Sequence, residues 1–152
     1  MPNWKQLEKD LSNWLSTFAK ENIEFRNPYQ AIIGFPYDGF RSDGMLTDGN
    51  ILIAIEVEAG QMHPDTNVGK YWLLSTEYKY YEKISLFHIY TPDFDSYKRR
   101  KELAEFYVKK MCLEVPIDYV ILDYRNATDY DATLGEIKSM IKERVEQEFK
   151  QE

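Results

Sequence analysis

Residues 51–58, ILIAIEVE, are an apolar run that turns acidic only at its end. A strand without polar alternation has both faces covered, so this segment predicts a central strand with packed layers above and below it. Asp48-Gly49-Asn50 precedes it, and Met45 to Thr47 precedes that turn. Asp-Gly between apolar runs is a strong hairpin signal, so the two segments are expected to pair as antiparallel arms.

A strand buried on both faces needs helices to cover it, and the flanking sequence supplies them. Trp4, Leu7, Leu11, Trp14, Leu15 and Phe18 recur at helical spacing and predict a helix over 4–21. Pro28 interrupts the next segment, Ala31 to Phe35 reads as a short strand, and 36–44 reads as loop. Pro64, Asp65 and Thr66 carry helix-start chemistry for a helix over 65–83 with Tyr71, Leu74, Tyr78 and Tyr81 on one stripe. A strand over 84–90 follows, then a helix over 97–112 capped by Asp95 or Ser96, and a last strand over 117–123. Thr133-x-x-Glu136 reads as a capping box opening a final helix with Leu134, Ile137, Ile141, Val145 and Phe149. The fold class expected is α/β: three layers, α/β/α, around a mixed central sheet of four to five strands.

Composition agrees with one folded domain over 1–152. Hydrophobic residues make up 43% of the chain and aromatics 15%, enough to build a core. No apolar run is long enough to cross a bilayer, the first ten residues lack the apolar stretch of a secretory signal, and Cys112 has no partner for a disulfide. A cytoplasmic setting without membrane association is the expectation. The net charge of -7 argues against strong non-specific nucleic-acid binding, which needs many cations on phosphates, but leaves room for a local site.

The central strand ends in Glu56 and Glu58, which alternation places on one face about 7 Å apart. Hairpin pairing brings Asp43 towards the same end. Strands often end in charge simply because they emerge into water. Here the linked Asp43, the hairpin and the following helix argue for a site. Two carboxylates ~5 Å apart repel by about 3 kcal/mol at an effective dielectric near 20. A hard divalent cation such as Mg²⁺ or Mn²⁺ reverses that sign and prefers carboxylate and water oxygens.

Ser42-Asp43 followed by Glu56-Val57-Glu58 resembles the motif of the PD-(D/E)XK nuclease superfamily, the restriction-endonuclease-like proteins. The expected order of helix, three strands, helix, strand is similar too, over residues 4–90. Ser42 stands where proline is usual, and Glu58 replaces the motif lysine, as in acidic-x-glutamate variants of the superfamily. Asn67-Val68-Gly69-Lys70-Tyr71 resembles the Gln-xxx-Tyr helix motif with Asn for Gln, and places Lys70 where it could supply the missing cation. Glu8 matches the supporting glutamate of the first helix.

The resemblance implies a Mg²⁺- or Mn²⁺-dependent endonuclease that hydrolyses phosphodiester bonds in DNA. Asp43 and Glu56 would hold the metal, Glu58 would bind metal or position water, and Lys70 would stabilise charge on the phosphate. Gln61 and His63 lie in the turn after the acidic strand, where a role in the site competes with a role in the turn. His88, in the middle of a strand, reads as a satisfied core or edge residue. Lys98 to Lys101, with Lys109 and Lys110, and the tyrosines at 78, 80 and 81 could meet phosphates or bases, although a solvated helix face and core packing explain them as well. Cutting both strands of a duplex would suggest a homodimer. The alternative is a catalytically inactive module of the same fold that binds nucleic acid or a protein partner. A glycosidase is disfavoured, because two glutamates on one strand do not flank a sugar bond.

Overall fold

The computed structural model describes residues 2–36, 39–60, 63–95 and 99–149. Helix α1 (Gln6–Leu15) is followed by strands β1 (Glu24–Arg26), β2 (Gly44–Thr47) and β3 (Ile51–Glu58). Helix α2 (Pro64–Leu73), strand β4 (Lys83–Tyr90), helix α3 (Arg100–Met111), strand β5 (Ile117–Asp123) and helix α4 (Tyr130–Glu148) complete the chain. The strands form one mixed sheet in the order β1-β2-β3-β4-β5. The β1–β2 and β2–β3 pairs are antiparallel, and β3–β4 and β4–β5 are parallel. The chain is thus an α/β domain with helices on both faces of a five-stranded sheet.

Side-chain alternation divides the core in two. Ile53, Ile55 and Val57 of β3, with Phe87, Ile89 and Leu122, pack against Leu7, Leu11 and Leu15 of α1 and Ile137, Ile141 and Val145 of α4. Leu52 and Ala54, with Ile84, Leu86 and Ile117, face Val68 and Tyr71 of α2 and Ala104, Val108 and Met111 of α3. Each parallel pair is joined through a helix on this second face, as a parallel connection requires. Among the described residues no helix is long and apolar enough to cross a membrane.

Several local expectations are corrected. Ala31 to Phe35 forms no strand: Ala31 makes a single bridge to Arg41, and Gly34 turns the chain at φ 111° beneath Tyr80. The third antiparallel strand is instead the short polar β1, whose Phe25 pairs with Leu46. Helix α1 ends at Leu15, not 21. The hydroxyls of Ser16 and Thr17 donate to the carbonyls of Asn13 and Trp14, both at 2.6 Å, and the chain tightens into a 3₁₀ turn, Ser16–Phe18.

Helix α2 stops being α-helical after Leu73. It widens into a π turn, Leu74–Tyr78, closed by Lys79 at φ 47°. Helix α3 begins at Arg100 behind a left-handed Arg99 with no side-chain cap, so Asp95 is not its cap, and Ser96 lies outside the described residues. The capping box at Thr133 is not a helix start either. Asp129 caps α4 by accepting from Ala132 N at 3.1 Å, which adds almost a turn and leaves Thr133 buried inside the helix.

Candidate active site

The face of β3 that carries Leu52 and Ala54 continues into Glu56 and Glu58, as alternation predicts. These acids do not emerge into water: Glu56 is 2% exposed and Glu58 0%. They lie at the carboxyl end of a parallel strand under α2, the end where open α/β sheets place their ligands.

Asp43 joins them through the hairpin. Gly44 pairs with Ile55, and one step further Asp43 N donates to Ile55 O at 3.1 Å while Asp43 Oδ2 accepts from Val57 N at 2.6 Å. The side chain thereby takes over a ladder bond and holds the partly buried Asp43 opposite Glu56. Burial pushes the Asp43 carboxyl well above the usual carboxylate range. The negative charges of Glu56 and then Glu8 push the same way, against the Val57 amide and Lys70. Glu8, half-buried on α1, thus belongs to the electrostatic surroundings of Asp43.

Lys70 and Tyr71 reach the same acids from α2. Lys70 Nζ lies 3.0 Å from Glu56 Oε1, donates to the carbonyl of Arg41 and approaches Asn67 Oδ1 at 3.4 Å. Tyr71 donates its hydroxyl to Glu56 Oε2 at 2.6 Å. Each Glu56 oxygen therefore has a donor from the chain. Burial raises the Glu56 carboxyl above its ordinary range, and Lys70 and Tyr71 oppose that rise. Burial, with the Glu56 charge beside it, drives the Tyr71 hydroxyl well up, so it stays a donor.

Glu58 faces a different set of partners. Its Oε1 accepts from Asn67 Nδ2 at 2.7 Å and from His88 Nε2 at 2.8 Å. Both side chains of the His88–Glu58 pair are 0% exposed. Nε2 must carry a proton to donate to the carboxylate, and Nδ1 meets the hydroxyl of Tyr119 on β5. Glu58 Oε2 is buried with no hydrogen-bond partner among the described residues. A continuous chain of polar contacts thus runs from Tyr119 through His88, Glu58, Asn67 and Lys70 to Glu56.

The expected trio is therefore divided. Asp43 and Glu56 stand together with Glu8 and Lys70 around them, while Glu58 turns to His88 and Asn67. Among the described residues no three His, Cys, Asp or Glu side chains are grouped so as to hold a metal ion. The Asp43–Glu56 pair still suits Mg²⁺ or Mn²⁺, because such ions commonly take one or two carboxylates and keep several waters. The upward push that Glu56 and Glu8 exert on Asp43 is repulsion that a cation would relieve.

Other candidates fall elsewhere. His63 is an exposed residue at the N-cap of α2. Gln61 lies outside the described residues, as does Lys98. Within the run, Arg99 is matched by Glu102, Arg100 by Asp65 and Lys101 by Glu105, whereas Lys109 and Lys110 form no ion pair among the described residues and Lys110 lies over the Phe106 ring. Tyr81 is buried and donates to Ile33 O, and Tyr80 packs on Tyr81.

His88 is the site residue that sequence reasoning missed, with Tyr119 behind it. The available signal was parity. On the α2–α3 face, β3 reads Leu52, Ala54, Glu56 and β4 reads Ile84, Leu86, His88, each turning polar at the same level of the paired strands. Comparison with known protein families, with curated proteins and with solved structures finds no match.

Proposed function

We propose that the chain is a metal-dependent nuclease of the PD-(D/E)XK kind that hydrolyses phosphodiester bonds in DNA. The observation that carries this reading is the placement of Asp43 opposite Glu56 with the Lys70 ammonium on Glu56. The order α1, three strands, α2, β4 supports it as well.

Asp43 and Glu56 would hold the metal, with Glu8 adding negative charge beside them. A bound Mg²⁺ or Mn²⁺ would polarise the phosphodiester and lower the pKa of an attacking water. Tyr71 fixes the carboxylate plane of Glu56 by its hydrogen bond to Oε2. Lys70, anchored by Arg41 O, offers the cation that Glu58 does not, and offsets charge on the phosphate. Glu58 acts at one remove: it holds Asn67, which turns its amide oxygen towards Lys70.

Incubation of the full chain with single-stranded and duplex DNA, with Mg²⁺, Mn²⁺ or EDTA, tests the proposal. Cleavage is expected only with metal, and is lost in Asp43→Ala and Glu56→Ala. Cleavage that survives both substitutions, or none with any DNA and metal, overturns it.

One observation favours the second reading, an inactive module of the same fold that binds nucleic acid or a protein partner. Both Glu56 oxygens are already taken by Lys70 and Tyr71, as in a closed structural ion pair. Metal binding in titration calorimetry without cleavage would select that reading.

A further inference from the structure

A groove of about 400 Å³ runs along the outer flank of α1, between that helix and the turn at 27–29. Lys5, Glu8, Lys9 and Asn13 line it from the helix, and Asn27 and Tyr29 from the turn. The helix residues recur at three- and four-residue spacing, while Leu7, Leu11 and Leu15 face the core.

Three features of this groove converge. The first is Tyr29, at 82% the most exposed large apolar side chain among the described residues. Its ring is free but its backbone is pinned. Tyr29 N donates to Asn27 Oδ1 at 2.8 Å, Asn27 N to Gln30 Oε1 at 3.0 Å and Gln30 N to Asn27 O at 3.1 Å, with Pro28 fixing φ between them. An aromatic face held out on an ordered turn gives a stacking surface whose backbone is already in place.

The second is charge. In a chain of net charge -7, Arg26, Lys70, Lys83, Arg99, Arg100, Lys101, Arg125, Lys142 and Arg144 are all engaged by carboxylates. Lys5 and Lys9 form no ion pair among the described residues, like Lys20, Arg41, Lys79, Lys109, Lys110 and Lys138, but they alone of these line the groove, beside the exposed Tyr29. The third is position. Glu8 lines the groove and lies near enough for its charge to act on Asp43, so the groove shares a residue with the electrostatic surroundings of the acidic pair.

We infer that this groove seats an unpaired nucleotide of a single DNA strand, with Tyr29 stacked on the base and Lys5 and Lys9 on the flanking phosphates. Stacking needs a base face that a duplex keeps covered, and aromatic platforms beside a few cations are the usual means of gripping one strand. Two cations suffice for a short stretch of one backbone, whereas the acidic remainder of the surface repels an extended duplex. Asn13 and Asn27 offer amides to a base edge. The choice of DNA as the ligand rests on the nuclease reading, and the groove adds which form of DNA the site takes.

The test is fluorescence anisotropy of the full chain in EDTA, with a short fluorescein-labelled oligodeoxythymidine and a blunt duplex of equal length. The single strand is expected to bind more tightly than the duplex. Tyr29→Ala should weaken single-strand binding by about tenfold, with the melting temperature unchanged, and Tyr29→Phe should retain it. The Lys5→Gln/Lys9→Gln double variant should lower the slope of log affinity against log salt by about 1.4, for two phosphate contacts on a single strand. Absence of binding, a duplex bound as tightly as the single strand, an indifferent Tyr29→Ala or an unchanged salt slope overturns the inference. Neither metal nor bond cleavage enters this measurement. A protein that binds in this way and never cuts DNA overturns the nuclease reading alone. One that cuts DNA while Tyr29→Ala binds normally overturns the groove alone.

Discussion

Lys70 Nζ and Glu56 Oε1 meet at 3.0 Å across the interface between α2 and β3, with side chains only 8% and 3% exposed. The pair links the helix to the acidic end of the sheet where water does little screening. Breaking a buried pair from one side leaves a charge without compensation, at a typical cost of about 3 to 5 kcal/mol. Lys70→Met is therefore expected to destabilise the protein by about that amount in urea denaturation. Adding Glu56→Gln should restore much of the loss, because the stranded charge is then removed. A double variant no more stable than Lys70→Met contradicts this account.

Asp43 sets the pH dependence. Burial first, then the charges of Glu56 and Glu8, raise its carboxyl above the ordinary range, and burial raises Glu56 as well. A carboxyl raised in the folded state holds its proton more tightly there than in the unfolded chain. Its contribution to stability is complete below the unfolded value, about 3.9 for Asp, and is lost as pH rises through the folded value. Without metal, the urea midpoint should fall as pH rises through this window. Asp43→Asn should flatten that fall and leave the metal-free protein more stable than wild type at neutral pH. Mg²⁺ should raise the wild-type midpoint and leave that of Asp43→Asn where it is. Asp10 and Asp123, lowered by side-chain hydrogen bonds from Gln6 and Arg125, add the opposite slope at more acidic pH in both proteins and cancel in the comparison.

His88 is predicted to matter more than its hydroxyl partner. His88→Ala removes a donor from the fully buried Glu58, whose other oxygen has no donor among the described residues, and opens a cavity. A loss of about 3 kcal/mol or more is expected. Tyr119→Phe removes one hydrogen bond to the imidazole and should cost about 1 kcal/mol. Chemical denaturation of both variants checks the order.

Asp129→Ala gives a control remote from the acids. It removes the one side-chain bond that caps α4 and should cost about 1 kcal/mol. Thr133→Ala, in the apparent capping box, should not reproduce a cap loss, because Thr133 lies within the helix. Thermal melting separates the two.

What the sequence made legible was whatever depended on near neighbours. The Asp48-Gly49 turn and the parity of Glu56 and Glu58 follow from local geometry, and the spacing of Asn67, Lys70 and Tyr71 set all three against those acids. The Glu58–His88 contact was not legible, because it depends on the register of two parallel strands joined only through a helix. Strand parity says which way Glu58 points but not what lies beside it. The first strand was misplaced because apolar content favours Ala31 to Phe35 over Glu24–Arg26, yet Gly34 adopts a backbone that no strand uses.

The hairpin that unites Asp43 with Glu56 also favours one order of assembly. Its two arms are joined by a tight turn, so the loop that must close is short, and hairpins form in about 1–10 μs. Lys70, by contrast, arrives only when α2 docks, and His88 only when the crossover delivers β4 beside β3. Loop closure thus favours gathering the acids before their cationic and imidazole partners, so the nascent sheet is expected to bring its negative charges together before they are neutralised.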